Sequence, residues 1–245
     1  MAFKWWRKRR RKQMSTRSFP DAWREILDRN VRLYDRLSPG EQAKLRGDLQ
    51  ILVAEKNWEG CGDLAMTEEI QVTIAAQASL LTLGLSDEHF DRVRSILVYP
   101  DAYVAPDRTI TKGGVVLEGK SAREGEAWYR GPVVLSWAES LAGGRRQTHG
   151  SNLVLHEFAH QLDMQNGGEI DGTPRLETVS QRRRWQEVMS DEYQRLVRDC
   201  HRGQPTLLDC YGTTDAAEFC AVATECFFEQ PRAMRRKHTR LYELL

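Results

Sequence analysis

The chain has 245 residues, 40% of them hydrophobic, so it can bury a substantial core in one domain. Its net charge of +1 hides an asymmetry: eight of the 36 Lys and Arg lie in residues 1–17, which hold no acid, so the other 28 face all 35 acids and leave the remainder at about −7. An acidic body excludes broad nucleic-acid binding by the folded part. The five cysteines (Cys61, Cys200, Cys210, Cys220 and Cys226) form no Cys-x-x-Cys pair, which argues against a Cys-based zinc site and predicts reduced, cytosolic thiols packed as small hydrophobes.

In chain order, residues 1–19 read as a basic, disordered tail. The alternative is a contact with an anionic surface, with Phe3, Trp5 and Trp6 as interfacial anchors. No apolar stretch follows the charges before Pro20, so the tail does not read as a secretory signal. Trp23, Ile26, Leu27, Tyr34 and Leu37 recur at helical spacing, and Ser38-Pro39-Gly40-Glu41 is a helix start with Ser at the N-cap, Pro at N1 and Glu at N3. Thr67 with Glu68 and Glu69 opens a buried helix over Ile70–Leu85, too short and too polar to span a membrane. Ser86-Asp87-Glu88 starts another short helix.

The middle third changes character. Ile96–Tyr99, Val115–Leu117 and Val133–Leu135 are short β-branched runs bounded by Gly or Pro, and read as strands. Gly143 to Gly150 reads as a polar loop, followed by a helix whose start cluster is Gly150, Ser151 and Asn152. From Gln181 the pattern is helical again, with Trp185, Val188, Met189, Leu196, Val197 and Cys200 on one face. No internal repeat is present. Residues 20–245 therefore read as one α+β domain, a small twisted mixed sheet with flanking helices.

The run His156-Glu157-Phe158-Ala159-His160 carries the chemistry. Two His four apart share a helical face, about 6 Å of rise apart, so both imidazoles reach one metal ion. Glu157 is then placed as general base over a water in the open fourth position, the zinc-peptidase arrangement. His156, His160 and Asp163 form a polar stripe on a helix otherwise lined by Leu153, Leu155, Phe158, Ala159 and Leu162. Burial of such a stripe is costly without partners, and zinc supplies one.

A catalytic zinc needs a third protein ligand. The extended zincin pattern requires His at 166 and Gly at 163, where this chain has Asn and Asp. Glu169 and Glu177 lie on a Gly- and Pro-containing loop with no helical frame to aim them. Glu218 is better placed, near the start of an apolar helix over 215–228, and Asp215 is the alternative. Glu225, two turns after Glu218 on the same face, reads as a support for a His ligand or a structural ion pair. Asp163 orients a ligand His or ties down the following loop.

Four segments, Ile96–Pro100, Gly131–Trp137, Asn152–Asp163 and Tyr211–Phe228, resemble the MtfA family of bacterial zinc peptidases, or Mlc titration factors, in order and spacing. The Tyr211-to-Glu218 spacing is also similar to that of the catalytic domain of anthrax lethal factor. The resemblance covers roughly residues 20–230 and leaves the basic leader outside. It implies a zincin-like metallopeptidase fold and one catalytic zinc held by His156, His160 and Glu218. It further implies Glu157 as base and Tyr211 as hydrogen-bond donor in the transition state. An aminopeptidase-type activity on peptides in the cytoplasm follows from it, with association with an Mlc-like transcription repressor that relieves repression of sugar-uptake genes. A repressor-binding role independent of hydrolysis is the alternative. Gly131–Trp137 is expected as an edge strand that pairs with an extended peptide.

Overall fold

The computed structural model describes residues 2–85, 90–101, 103–110, 116–123, 125–127, 132–145, 150–166 and 170–245. The helix start at 86–88, Val115, Gly131 and Glu169 lie outside the described residues. The elements run α1 (Ala2–Ser15), α2 (Asp21–Asn30), α3 (Pro39–Glu55), β1 (Asn57–Gly60), α4 (Glu68–Leu80) and β2 (Ser95–Tyr99). There follow β3 (Tyr103–Ile110), β4 (Val116–Arg123), β5 (Gly125–Ala127), β6 (Val133–Ser136) and α5 (Trp137–Arg145). The chain closes with α6 (Leu153–Asp163), α7 (Val179–His201), α8 (Ala216–Glu229), α9 (Pro231–Lys237) and α10 (Thr239–Tyr242). Short 3₁₀ turns cover Tyr34–Arg36, Met164–Asn166 and Cys210–Thr213. This is a helix-rich α+β fold, and no described helix is long and apolar enough to cross a membrane.

Local chemistry sets the helix starts. Ser38 and Glu41 form the expected capping box on α3, with Ser38 N donating to the Glu41 carboxylate at 2.8 Å. Thr67 caps α4 by accepting from Ile70 N. The helix expected from Gln181 begins at Val179, because Thr178 and Gln181 make a second capping box that takes in Gln181 as its third residue.

Strands β1, β2 and β6 are parallel neighbours, and β5 lies antiparallel on the outer side of β6. This corrects the expectation for Gly131–Trp137. Val133–Ser136 is fully buried between β2 and β5, so the edge beside it is β5, a Gly-containing segment too short to register as a strand in the sequence. The part of the Val115–Leu117 run that is described, Val116 and Leu117, is not in the main sheet: among the described residues β4 pairs with β3 alone, as a separate antiparallel sheet.

Among the described residues, two apolar clusters build the interior. The larger gathers α2, α3, α4, β2 and β6 around Leu155 and Phe158 of α6, with Phe158 meeting Phe90 edge to face at 4.7 Å. The smaller joins α7, α8 and the C-terminal helices through Trp185, Leu196, Phe219 and Met234.

The leader also departs from the sequence reading. Residues expected as a disordered tail form α1, which lies on α3: Met14 is buried and Arg11 reaches Glu55 and Asp91, each at 2.5 Å. The run of like charge signals a solvated tail only while its acidic partners, 44 and 80 residues away, are out of view.

The cysteine expectation fails at one pair. Cys200, in the last turn of α7, and Cys210 are joined in a disulfide with Cα atoms 5.9 Å apart. Their ten-residue separation spans the reversal after α7, and sequence spacing does not disclose that this turn brings them face to face. Cys61, Cys220 and Cys226 are free thiols, and burial pushes Cys220 up to about 12.

Candidate metal centre

Helix α6 delivers the motif. Asn152 caps it, its Oδ1 accepting from Leu155 N at 3.1 Å, while Val154, Leu155 and Phe158 anchor the opposite side in the larger core. That leaves His156 and His160 side by side, ring centroids 4.9 Å apart, facing α8. Asp215 caps α8 by accepting from Ala217 N and Glu218 N at 2.9 Å each, which orients Glu218 in the first turn. The carboxylate of Asp215 is thus occupied by the cap. Glu177 is exposed, its backbone N bonded to Gln181, and is not part of the cluster.

His156, His160 and Glu218 are brought together. Glu218 Oε2 lies 2.9 Å from His156 Nε2 and 3.6 Å from His160 Nε2, and the two Nε2 atoms are 3.2 Å apart. Ligand atoms bound to one tetrahedral ion at ~2.0–2.1 Å would stand about 3.3 Å from each other. The triangle has the size of one face of such a shell.

Electrostatics point the same way. His156 Nδ1 is 2.7 Å from Glu225 Oε1, and a carboxylate there selects the tautomer in which Nδ1 donates and Nε2 carries the lone pair. That lone pair faces a Glu218 oxygen, a contact that is repulsive unless a proton or a cation lies between them. Burial pulls the His156 imidazole down, but its bonds to Glu218 and Glu225 outweigh this and push it up to about 10. Burial likewise pushes Glu218 up, and the contacts with His156 and His160 outweigh it and hold its carboxyl at about 2. The cluster therefore demands positive charge, and a divalent ion meets that demand with the donor set a zinc site uses, two imidazoles and a carboxylate.

Glu157, the next residue of α6, is buried at 4% exposure. Tyr211 sits in the 3₁₀ turn, 57% exposed, with its ring centroid 6.1 Å from that of His156. The turn is fixed by Asp209, whose Oδ1 accepts from Tyr211 N at 2.8 Å, and by Tyr193, whose hydroxyl donates to Thr213 O at 3.0 Å.

Asp163 serves the following loop. Its two oxygens accept from Gly172 N and Thr173 N at 2.7 and 2.9 Å. Gly172 has φ +77°, and a Cβ there would stand 2.3 Å from Ala216 O, so only glycine lets this loop close against the start of α8.

Sequence reasoning missed a buried polar seam behind the cluster. Asn152 N donates to Glu225, Asn152 Nδ2 donates to Gln77 Oε1 at 3.0 Å and to Glu229 Oε1, and Arg32 pairs with Glu229. Gln77 Nε2 in turn donates to Ser140 O at 2.9 Å. The available signal was in α8: Glu218, Glu225 and Glu229 repeat at helical spacing on one face of an otherwise apolar helix.

The family described as glucose-regulated metallo-peptidase M90 matches residues 3–245, which includes the basic leader. Slr2042, an uncharacterised protein of Synechocystis sp., is 39% identical over 98% of this chain and 87% of its own length. The Mlc titration factor A proteins of Yersinia enterocolitica and Serratia proteamaculans are 28% and 29% identical over 90% of this chain, and over 81% and 83% of their own lengths.

Proposed function

Since this chain belongs to the glucose-regulated metallo-peptidase family M90, which implies a metal ion, we propose that it hydrolyses peptide bonds with one zinc held by His156, His160 and Glu218. The observation that supports this most is the triangle of donor atoms, at the spacing of a tetrahedral shell and short of positive charge. A bound zinc supplies Lewis acidity toward the scissile carbonyl and lowers the pKa of the attacking water. Glu157 accepts the proton of that water and returns it to the leaving amine nitrogen. Glu225 keeps His156 in the tautomer that presents Nε2. Tyr211 donates its phenolic hydrogen to the oxygen that becomes negative in the transition state, a contact worth ~2–4 kcal/mol by comparison with other oxyanion donors. The outer edge of β5, with no strand beside it among the described residues, takes the role first expected of Gly131–Trp137 and pairs with the extended substrate backbone.

The resemblance noted in the sequence favours aminopeptidase-type cleavage. A second reading comes from the names of the Yersinia and Serratia relatives, in which this chain binds an Mlc-like transcription repressor in the cytoplasm. The Cys200–Cys210 bridge is the feature that runs against a reducing compartment.

Metal analysis paired with cleavage of peptidyl chromophores tests the first reading. Glu157→Gln should retain about one zinc per chain and lose hydrolysis, whereas His156→Ala should lose the metal. Tyr211→Phe should keep the metal with turnover lowered roughly 10²–10³-fold. Full activity in Glu157→Gln removes the proposed base. Capture of a repressor that survives the same substitution would establish binding as a separate role.

A further inference from the structure

The face of α1 that turns away from the body is organised, and neither the metal centre nor the peptidase reading uses it. Docking on α3 fixes the rotation of this helix. Arg11 and Met14 are buried, Arg7 is held by Asp91 at 2.7 Å, and Ser15 abuts Gly47, where a Cβ would come within 3.0 Å of the Ser15 Cβ. At about 100° per residue, the opposite face then presents, in angular order, Lys8, Lys12, Trp5, Arg9, Gln13, Trp6 and Arg10. All seven are exposed, Trp5 by 56% and Trp6 by 64%. Both indoles lie near the middle of this arc, with Arg9 between them, its guanidinium carbon 5.5 Å from the Trp5 ring centroid. Lysines border one side and Arg10 the other.

We propose that α1 is an interfacial anchor that seats this chain on an anionic lipid bilayer. Indoles are amphipathic and settle at headgroup depth, and Lys and Arg beside them meet lipid phosphates. Residues 1–17 contain no acid to oppose this, and Asp91 and Glu55 are engaged by Arg7 and Arg11 on the buried side. A bilayer fits better than a nucleic acid. A planar surface receives both indoles at one depth while touching only this face, whereas a polyanion wrapping the molecule would meet a body carrying about −7.

Flotation of the full chain with vesicles tests the assignment. Phosphatidylcholine vesicles containing roughly one-third phosphatidylglycerol should carry the protein at low salt, and pure phosphatidylcholine vesicles should not. Each of Lys8→Gln, Arg9→Gln, Arg10→Gln and Lys12→Gln should lower partitioning about fivefold, and the four together several hundredfold. Trp5→Ala combined with Trp6→Ala should remove the part of the binding that persists at high salt. Trp5, Trp6, Arg9, Arg10 and Lys12 are exposed, so their substitutions should leave the melting temperature unchanged. If the quadruple variant melts early, the tryptophan pair carries the test. No flotation with anionic vesicles, flotation indifferent to both variants, or displacement of the vesicles by a mixed-sequence RNA that binds more tightly would each overturn the proposal.

Discussion

Glu225 accepts from two donors at once, His156 Nδ1 at 2.7 Å and the backbone N of Asn152 at the cap of α6. One carboxylate thus fixes both the tautomer of the first imidazole and the start of the helix that carries it. Glu225→Ala removes the acceptor for both, and metal affinity should fall about 10–100-fold, as measured by competition with a chromophoric chelator. Glu225→Gln keeps an oxygen toward Nδ1 and should recover part of that loss. An unchanged affinity in the alanine variant would reduce Glu225 to a structural ion pair, one of its two readings in the sequence. For Asp163 the structure already decides between the two readings: its oxygens are spent on Gly172 N and Thr173 N, so it holds the loop.

At the scale of elements, the site depends on how α7 hands over to α8. Tyr211 stands on a single 3₁₀ turn, and a residue so exposed keeps its place only if the turn itself is fastened. The Asp209 cap, the Tyr193 hydroxyl and the Cys200–Cys210 bridge do this. Closing a loop of this length stabilises the fold by roughly 2–3 kcal/mol on the chain-entropy account. Cys200→Ser should therefore lower the unfolding free energy obtained from urea titration by about that amount, and peptide turnover should fall with it as Tyr211 loses its support. Non-reducing peptide mapping gives the direct check. Free thiols at both positions in protein purified without reductant would return this pair to the sequence expectation of reduced cysteines.

Across the whole molecule, the candidate metal centre lies at the seam between the two apolar clusters. Helix α6 belongs to the larger and α8 to the smaller, and the polar chain of Arg32, Glu229, Asn152, Gln77 and Glu225 runs between them. Buried groups of this kind are costly unless each is partnered, and burial does push Glu229 up despite Arg32. Register between the two halves is thereby fixed by hydrogen-bond geometry. The leader helps to close the larger half. Arg11→Ala would leave the part-buried Glu55 without its cation and Asp91 with Arg7 alone, and should cost roughly 3 kcal/mol. Deletion of residues 1–15 should likewise lower the melting temperature, whereas removal of a disordered tail would leave it unchanged. Calorimetry on both variants separates a docked helix from a solvated one.

Features of this protein that rest on local periodicity were legible in the linear chain. It placed two imidazoles and Glu157 on one turn of α6, capped α3, α4 and α6, and marked α8 as an apolar helix with acids on one face. Contacts between distant segments were decided only in three dimensions. Glu218 meets His156 across 62 residues and Glu225 meets it across 69, while Asp215, the alternative ligand in the sequence, is consumed by its own helix cap. The same holds for the pairing of Cys200 with Cys210, the order of strands that puts β5 at the edge, and the docking of a basic leader on Glu55 and Asp91. A helix pattern follows from steric and hydrogen-bonding rules that act over a few residues. Which charge meets which depends on how the packed elements bring their faces together, and the linear spacing of charges does not reveal it.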